Sequence, residues 1–194
     1  MKDEKEKIID FLVEANKLKD VKRTGWLMVK VKDPESVAAH VFSVLLMSSL
    51  LSEKLKINKQ KLFDMILIHD LCEVYAGDIA TRKDGSMFLP DKKGEIKKFV
   101  GDKNAIEEKA MKKILKKLPE KLRKKYYKLW LEFSKNKTRE SKIAHELDKL
   151  DYAVLAYLYK NRGIKKIERF LYVQDILENK YLKDLSRLIL KRFQ

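Results

Sequence analysis

The segment VAAHVFSVLLMSSLLSEKL, residues 37–55, is apolar on nearly every face when wound as a helix. A helix that is hydrophobic all round has to be enclosed by other elements. The rest of the chain must therefore supply the wrapping. Six glycines and three prolines in 194 residues leave few of the turns that an all-β fold needs. The chain is read as all-α, a single-domain helical bundle over residues 1–194.

Periodicity and breakers divide the bundle. Lys5 to Leu18 has helical order. The stretch KDVKRTGWLMVKVKDPE, broken by Gly25, β-prone residues and Pro34, reads as a long structured loop, and loops of that length are often functional. Asp33 or Ser36 caps the apolar helix, with Pro34 or Glu35 near its first turn, and the helix runs to about Lys56. Asn58 caps KQKLFDMILIHDLCEVYA, which Gly77 ends. DIATRKDGSMFLPD is a second irregular loop. Helices are expected over residues 93–117 with a weak point at Gly101, then, after a break at Pro119, over EKLRKKYYKLWLEFSK. Thr138 caps a long helix that ends near Gly163, and two amphipathic segments within 164–194 pack on the core. There is no internal repeat and no low-complexity linker.

Composition narrows the function. The single cysteine, Cys72, rules out an internal disulfide framework and a cysteine-rich zinc site, and fits a reducing, cytoplasmic setting. The charged start MKDEKEKIID does not resemble a signal peptide, and no apolar stretch approaches the ~18–20 residues that span a bilayer, so no membrane role is expected. Charged residues, mainly Lys and Glu, make up 38% of the chain, a composition of thermophilic type. The net charge of +16 is concentrated: residues 92–128 hold fifteen Lys/Arg and five Asp/Glu. Such a segment attracts nucleic acids, anionic membranes or phosphorylated small molecules, although its plainest reading is a solvated helix face.

Three histidines occur: His40, His69 and His145. His40 lies in the most apolar helix. His69 lies in the next most apolar one and is followed by Asp70. Neighbouring residues on a helix point about 100° apart, so this pair can reach one ion from one edge. Two antiparallel helices with a short connection can bring His40 opposite, and Asp148, on another apolar helix, can add a fourth ligand. Imidazole with carboxylate suits Mn²⁺, Fe²⁺, Co²⁺, Ni²⁺ or Zn²⁺. Taken alone, a histidine in an apolar helix is more often a hydrogen-bonded core residue, and a single His-Asp pair is a weak signal.

The order His40 … His69-Asp70 … Asp148 resembles the signature of the HD-domain phosphohydrolase superfamily. RTGW (Arg23 to Trp26), PESVAAH (Pro34 to His40), HDLCEVYAGDI (His69 to Ile79) and ELDKLD (Glu146 to Asp151) are similar to its 5′-deoxynucleotidase branch, which includes oxetanocin-like archaeal proteins; the likeness covers roughly residues 8–160. It implies an HD-type bundle with the metal-site core at about residues 20–160, and a metal-dependent phosphomonoesterase acting on (deoxy)nucleoside 5′-monophosphates. His40, His69, Asp70 and Asp148 match the metal ligands. Glu73 matches the catalytic glutamate, and Asp78 the aspartate near substrate or metal. Helical spacing independently sets Glu73 on the face of His69 and Asp70. In some relatives a second ion, with Mg²⁺ a candidate, sits between the residues matching Glu73, Asp78 and the Ile79 carbonyl. Arg23 and Trp26 resemble the family's Arg and Trp at the substrate, the first for phosphate, the second as a flat wall for sugar or base. The bacterial 5′-deoxynucleotidase of this branch has that pair adjacent, whereas RTGW separates it. A homodimer is implied by the resemblance alone.

Three residues have plainer readings. His145 is assigned a surface or structural role, and Cys72 that of a buried thiol. Asp151 either stands behind a ligand or pairs with Lys149 or Lys142. The rival functions are an HD-fold phosphohydrolase for another nucleotide, and a basic helical protein that binds nucleic acid through residues 92–128.

Overall fold

The computed structural model describes residues 3–82, 84–165, 167, 170 and 172–193. Residues 166, 168, 169, 171 and 194, parts of the expected C-terminal helices, and Lys83 of the second loop lie outside the described residues.

Side-chain caps decide where the helices begin. Asp3 and Glu6 form a reciprocal capping box at α1, Glu4–Ala15. A 3₁₀ turn over Asn16–Lys19 and a short helix α2, Thr24–Leu27, follow. Ser36 Oγ accepts the Ala39 N–H at 3.2 Å and opens α3, Val37–Leu55, which stops at the left-handed Lys56. Asn58 opens α4, Lys59–Ile68, and α5 covers Glu73–Ala76. Three short strands come next, β1 at Ala80–Thr81, β2 at Met87–Pro90 and β3 at Ile96–Phe99. Asp102 caps α6, Lys103–Leu115, and α7, Glu120–Lys135, starts after Pro119. Thr138 caps α8, Arg139–Asn161; α9, Val173–Ile176, and α10, Lys180–Lys191, complete the bundle.

α8 is the hub and packs against α3, α4, α7 and α10. Leu147, Leu150 and Ala153 interlock there with Val44, Leu62, Met65, Ile66 and Leu182. Met111, Ile114, Leu115 and Trp130 join Ile68, Leu71 and Ile79 in a second cluster beneath α5. These two cores fix the ends of α3, α4, α5 and α8 against one another, and that is where the polar residues converge.

Four expectations are corrected. First, residues 80–99 form an antiparallel three-stranded sheet in the order β1-β2-β3, with Met87 opposite Phe99 and Pro90 opposite Ile96. Neither a loop nor a helix from residue 93 describes it. Second, the RTGW loop contains α2 and is closed by a bridge between Lys22 and Ser36. Third, the helix expected through Ala76 breaks between Ile68 and Glu73. The N–H groups of Leu71, Glu73, Val74 and Tyr75 reach back three residues to Ile68, Asp70, Leu71 and Cys72, a 3₁₀ pattern. Fourth, α3 is long and apolar enough, by length and composition, to cross a bilayer. In the bundle it packs against α4 and α8 while Phe42, Leu46 and Leu50 on its other side are exposed, so this chain does not enclose it completely.

Gly77 ends α5 with φ +72°, and a Cβ there would lie 2.6 Å from Leu89 Cδ1. Glycine thus lets the turn into Asp78 lie directly on β2.

Candidate metal centre

The helix break places the central ligands. His69 caps the end of α4, where carbonyls lose their helical partners. Its Nδ1–H donates to the Ile66 carbonyl at 2.7 Å, which leaves the lone pair on Nε2. His40, in the first turn of α3, donates from Nδ1 to Asp151 Oδ2 at 2.7 Å, so Nε2 is the nitrogen left for a metal, in place of a proton. The two rings lie 5.6 Å apart. His40 Nε2 is 3.1 Å from Asp148 Oδ1 and 3.8 Å from Asp70 Oδ2, and His69 Nε2 is 3.1 Å from Asp70 Oδ2. Asp148 and Asp151 share a face of α8, three residues apart.

Both Nε2 atoms are buried and make no hydrogen bond, a costly arrangement unless a cation is their partner. The ligand atoms of His40, His69 and Asp148 lie within 4.8 Å of one another. Two imidazoles with two carboxylates fit a divalent transition ion. The four residues expected from the sequence are therefore brought together, and this donor set can hold a metal.

Arg23 sits over the cluster, 3% exposed, with its guanidinium stacked 4.6 Å above the Tyr152 ring. Its nitrogens are 3.9 Å from Asp70, 3.9 Å from Asp78 and 4.0 Å from Asp148. Each distance is an ion pair too long for a hydrogen bond. Burial favours the neutral form of every group here, and the charges decide the outcome. Burial pushes Asp70 and Asp148 up, but His69 for the first and Lys149 for the second, with His40 and Arg23 for both, hold them well below the usual carboxylate range. Glu73 goes the other way: burial, then Asp70 and Asp78, push its carboxyl well up against Arg23 and Lys103. Its Oε2 is buried without a hydrogen bond.

Asp78 follows α5 and is tied to α2. The Thr24 N–H donates to Asp78 Oδ2 at 2.5 Å, and Thr24 Oγ1 donates to the Asp78 carbonyl at 2.5 Å. The Ile79 carbonyl, which the resemblance offers to a second ion, accepts from Lys103 Nζ at 2.9 Å. Trp26 is not at the cavity. It is fully buried against Phe170 at 4.0 Å and Tyr159 at 5.0 Å, so it is a core anchor and not the wall expected for sugar or base.

A cavity of about 840 Å³ opens beside the cluster, a size suited to a small molecule. Asp78, Lys103 and Lys149 stand at its junction with the cluster, and Tyr152, Phe170 and Tyr172 line it as well. The second loop contributes Ala80, Thr81, Arg82 and Asp84.

Several of these residues were missed in the sequence. Tyr152 carried a signal, being one helical turn after Asp148, and so did Lys149, whose Nζ is 2.9 Å from Asp148 Oδ2. Lys149 therefore pairs with Asp148, and Asp151 stands behind His40. Lys103 carried none, as one of fifteen cations in its segment. That basic segment runs over β3, α6 and α7, and Lys97, Lys103, Lys112, Lys117, Lys124 and Lys125 pair with acids. His145 stacks on Phe133 at 4.0 Å and bonds its carbonyl, while Cys72 is buried and burial pushes its thiol well up.

Comparison with known proteins agrees with this geometry. A family model described as HD domain matches residues 15–187. A human protein named 5′-deoxynucleotidase HDDC2 is 32% identical over 154 residues, which cover 79% of this chain and 69% of the relative. The fold is similar to a solved conserved hypothetical protein from Pyrococcus furiosus, with TM-score 0.76, 31% identity and coverage of 94% and 99% of the two chains. A solved protein from Pyrococcus horikoshii OT3 gives TM-score 0.76 at 27% identity, covering 95% and 99%. With the match extending over the whole His-Asp cluster and the helices that carry it, the chain belongs to the HD domain family.

Proposed function

We propose that the chain is a metal-dependent phosphomonoesterase that removes phosphate from (deoxy)nucleoside 5′-monophosphates. The observation that carries this reading is the pair of buried imidazole nitrogens without hydrogen bonds, facing Asp70 and Asp148 beside a cavity. The activity named for the human relative supports the substrate class.

His40, His69, Asp70 and Asp148 would hold the ion, which as a bound Mn²⁺, Co²⁺, Fe²⁺, Ni²⁺ or Zn²⁺ supplies a water of lowered pKa and offsets phosphoryl charge. Arg23 presents guanidinium donors not committed to short hydrogen bonds, and these suit the equatorial phosphate oxygens. Glu73 is one 3₁₀ turn after Asp70. With a cation bound beside it, the burial and the neighbouring acids that hold its proton are offset, and the freed carboxylate can take a proton from an attacking water. Asp78, fixed by Thr24, faces the cavity and acts on the sugar side. Lys149 keeps its proton despite burial, because Asp148 holds it well above the usual lysine range, and it lends a further positive charge to the cavity wall. Tyr152, Phe170 and Tyr172 offer the base the flat surface that Trp26 does not.

A homodimer belongs to the same reading. Phe42, Leu46 and Leu50 recur every four residues on α3 and are 67%, 50% and 71% exposed, with Leu67 of α4 at 51%. Large apolar side chains clustered in this way mark an interaction surface.

Phosphate release from a panel of nucleoside mono-, di- and triphosphates tests the function. Mn²⁺, Co²⁺ and Mg²⁺ would be compared with chelator, with Asp70→Ala as control. Metal-dependent release from the monophosphates, lost in the variant, is expected. No release from any monophosphate by metal-loaded protein would overturn the reading.

A further inference from the structure

Between the end of α5 and β1 the chain runs through Gly77, Asp78 and Ile79 without regular secondary structure. Backbone carbonyls in such a segment need partners from elsewhere. Two consecutive ones obtain them from side chains. Thr24 Oγ1 donates to the Asp78 carbonyl and Lys103 Nζ to the Ile79 carbonyl. The turn that aims Asp78 at the cavity is thus held by two clamps, one from each side.

We infer that Lys103 is a positioning residue of this site, its ammonium fixing the Asp78–Ile79 turn and supplying the positive charge on the α6 side of Glu73 and Asp78. The inference rests on the phosphomonoesterase reading above. Lys103 is the first residue of α6, whose start Asp102 sets by accepting the Ala105 N–H. One turn on, Glu107 Oε1 lies 3.4 Å from Nζ and steers the lysine from behind. The side chain is 38% exposed and lines the cavity, so a solvated alternative is open to it, yet it points at Ile79. Electrostatics explain why a charged donor stands there. Burial lowers the affinity of Lys103 for its proton, but the carboxylates of Glu107, Glu73, Asp78 and Asp70 outweigh that effect. Arg23 balances Glu73, Asp78 and Asp70 from the start of α2, so Lys103 and Arg23 bracket these three. A neutral donor could satisfy the carbonyl but not hold two neighbouring carboxylates together.

The test compares Lys103→Met, which keeps the length of the side chain, with Lys103→Arg, which keeps a charged donor. Backbone hydrogen exchange over residues 77–82 is read on the free protein, and kcat and KM on the metal-loaded one. For Lys103→Met we expect exchange in that segment to rise about tenfold or more while α3 and α8 stay protected. We expect kcat to fall about tenfold or more, with KM moving less than about threefold, because orientation is lost and ground-state binding is not. Lys103→Arg should recover most of both. Wild-type exchange in Lys103→Met, or a kcat within about twofold of wild type, overturns the inference. If the wild-type protein hydrolyses no monophosphate, the functional reading fails by itself, and the exchange result still decides whether Lys103 holds the turn.

Discussion

Asp151 touches no group that reacts, yet Asp151→Asn should weaken divalent-ion binding by a factor that grows with pH. The carboxylate accepts the His40 Nδ1–H at 2.7 Å in a fully buried setting. Losing its charge has two opposed effects. The imidazole becomes a poorer and less well oriented donor; partners of this kind are worth about 10–100-fold in affinity, so about 2 kcal/mol is a fair central value. The same change makes His40 release its competing proton more readily. In the ion-free protein, burial and then Arg23 push His40 down, but Asp148 and Asp151 outweigh them and carry it up to about 9. A pKa raised in this way means that the proton is held at pH 7 and gone above the raised value. At pH 7 an incoming ion must displace it, a handicap of about 2.7 kcal/mol at about 1.4 kcal/mol per unit.

Asp151 is one of the two carboxylates behind that rise, so the variant is relieved of part of that handicap at pH 7 and its net loss there is smaller than about 30-fold. Near pH 9.5 neither protein carries the proton, and the full loss of about 30-fold should appear. Titration with Co²⁺ or Ni²⁺ buffered by nitrilotriacetate, across that pH range, measures both constants. A ratio that does not change with pH, or one closer to unity at pH 9.5 than at pH 7, would refute the reasoning.

Trp26→Ala should act on stability, lowering it by about 3–5 kcal/mol in urea unfolding, because the ring is fully buried among aromatic side chains; a soluble variant of wild-type stability with a raised KM would contradict the core assignment. Burial, then Asp151, push Glu35 up from 4.5 to about 7 against the pull of Arg23 and His40. Its stabilising contribution, about 3 kcal/mol, is therefore complete below pH ~4.5 and is lost as pH rises through about 7; chelator-treated Glu35→Gln should lose less stability between pH 5 and pH 8 than wild type, and equal losses would count against it. Leu50→Glu, placed on the exposed face of α3, should weaken self-association about tenfold or more in light scattering without changing helix content; an unaltered dimer would move the interface elsewhere.

Much of the frame is written locally. Ser36, Asn58 and Thr138 each cap the helix assigned to them, and Gly77 and Gly163 adopt the positive φ that ends one. The order of His40, His69, Asp70 and Asp148 was legible because it is a pattern along the chain, although only His40 and Asp148 lie within helices and His69 and Asp70 stand in the break after α4. The hairpin was not, although its signals were present. Asp91 and Gly94 make the turn, with Gly94 at φ +80°. Lys and Glu around them favour helices in isolation, and pairing with β2 overrides that preference. The break after Ile68 was hidden for a related reason, since an α-helix and a 3₁₀ turn both bring Asp70 and Glu73 to one side. Trp26 misled because a motif fixes a position along the chain, whereas Phe170, 144 positions later in the sequence, decides what that position faces.

The distribution of charge in the site makes one further point about the order of events. Asp148 is bonded to Lys149, and the Glu73–Asp78 side is balanced by Lys103. Arg23 is almost equidistant from Asp70, Asp78 and Asp148, at ion-pair and not hydrogen-bond range. A guanidinium so placed is held by the field of several acids and keeps its donors for another anion. A phosphate dianion approaching it also approaches those same acids, whose repulsion offsets what Arg23 provides. A divalent ion held by His40, His69, Asp70 and Asp148 removes much of that repulsion. Ion and phosphate should therefore each raise the affinity for the other, and by linkage by the same factor. Without the ion, Asp70, Asp78 and Asp148 stand around Arg23 and work against a phosphate there.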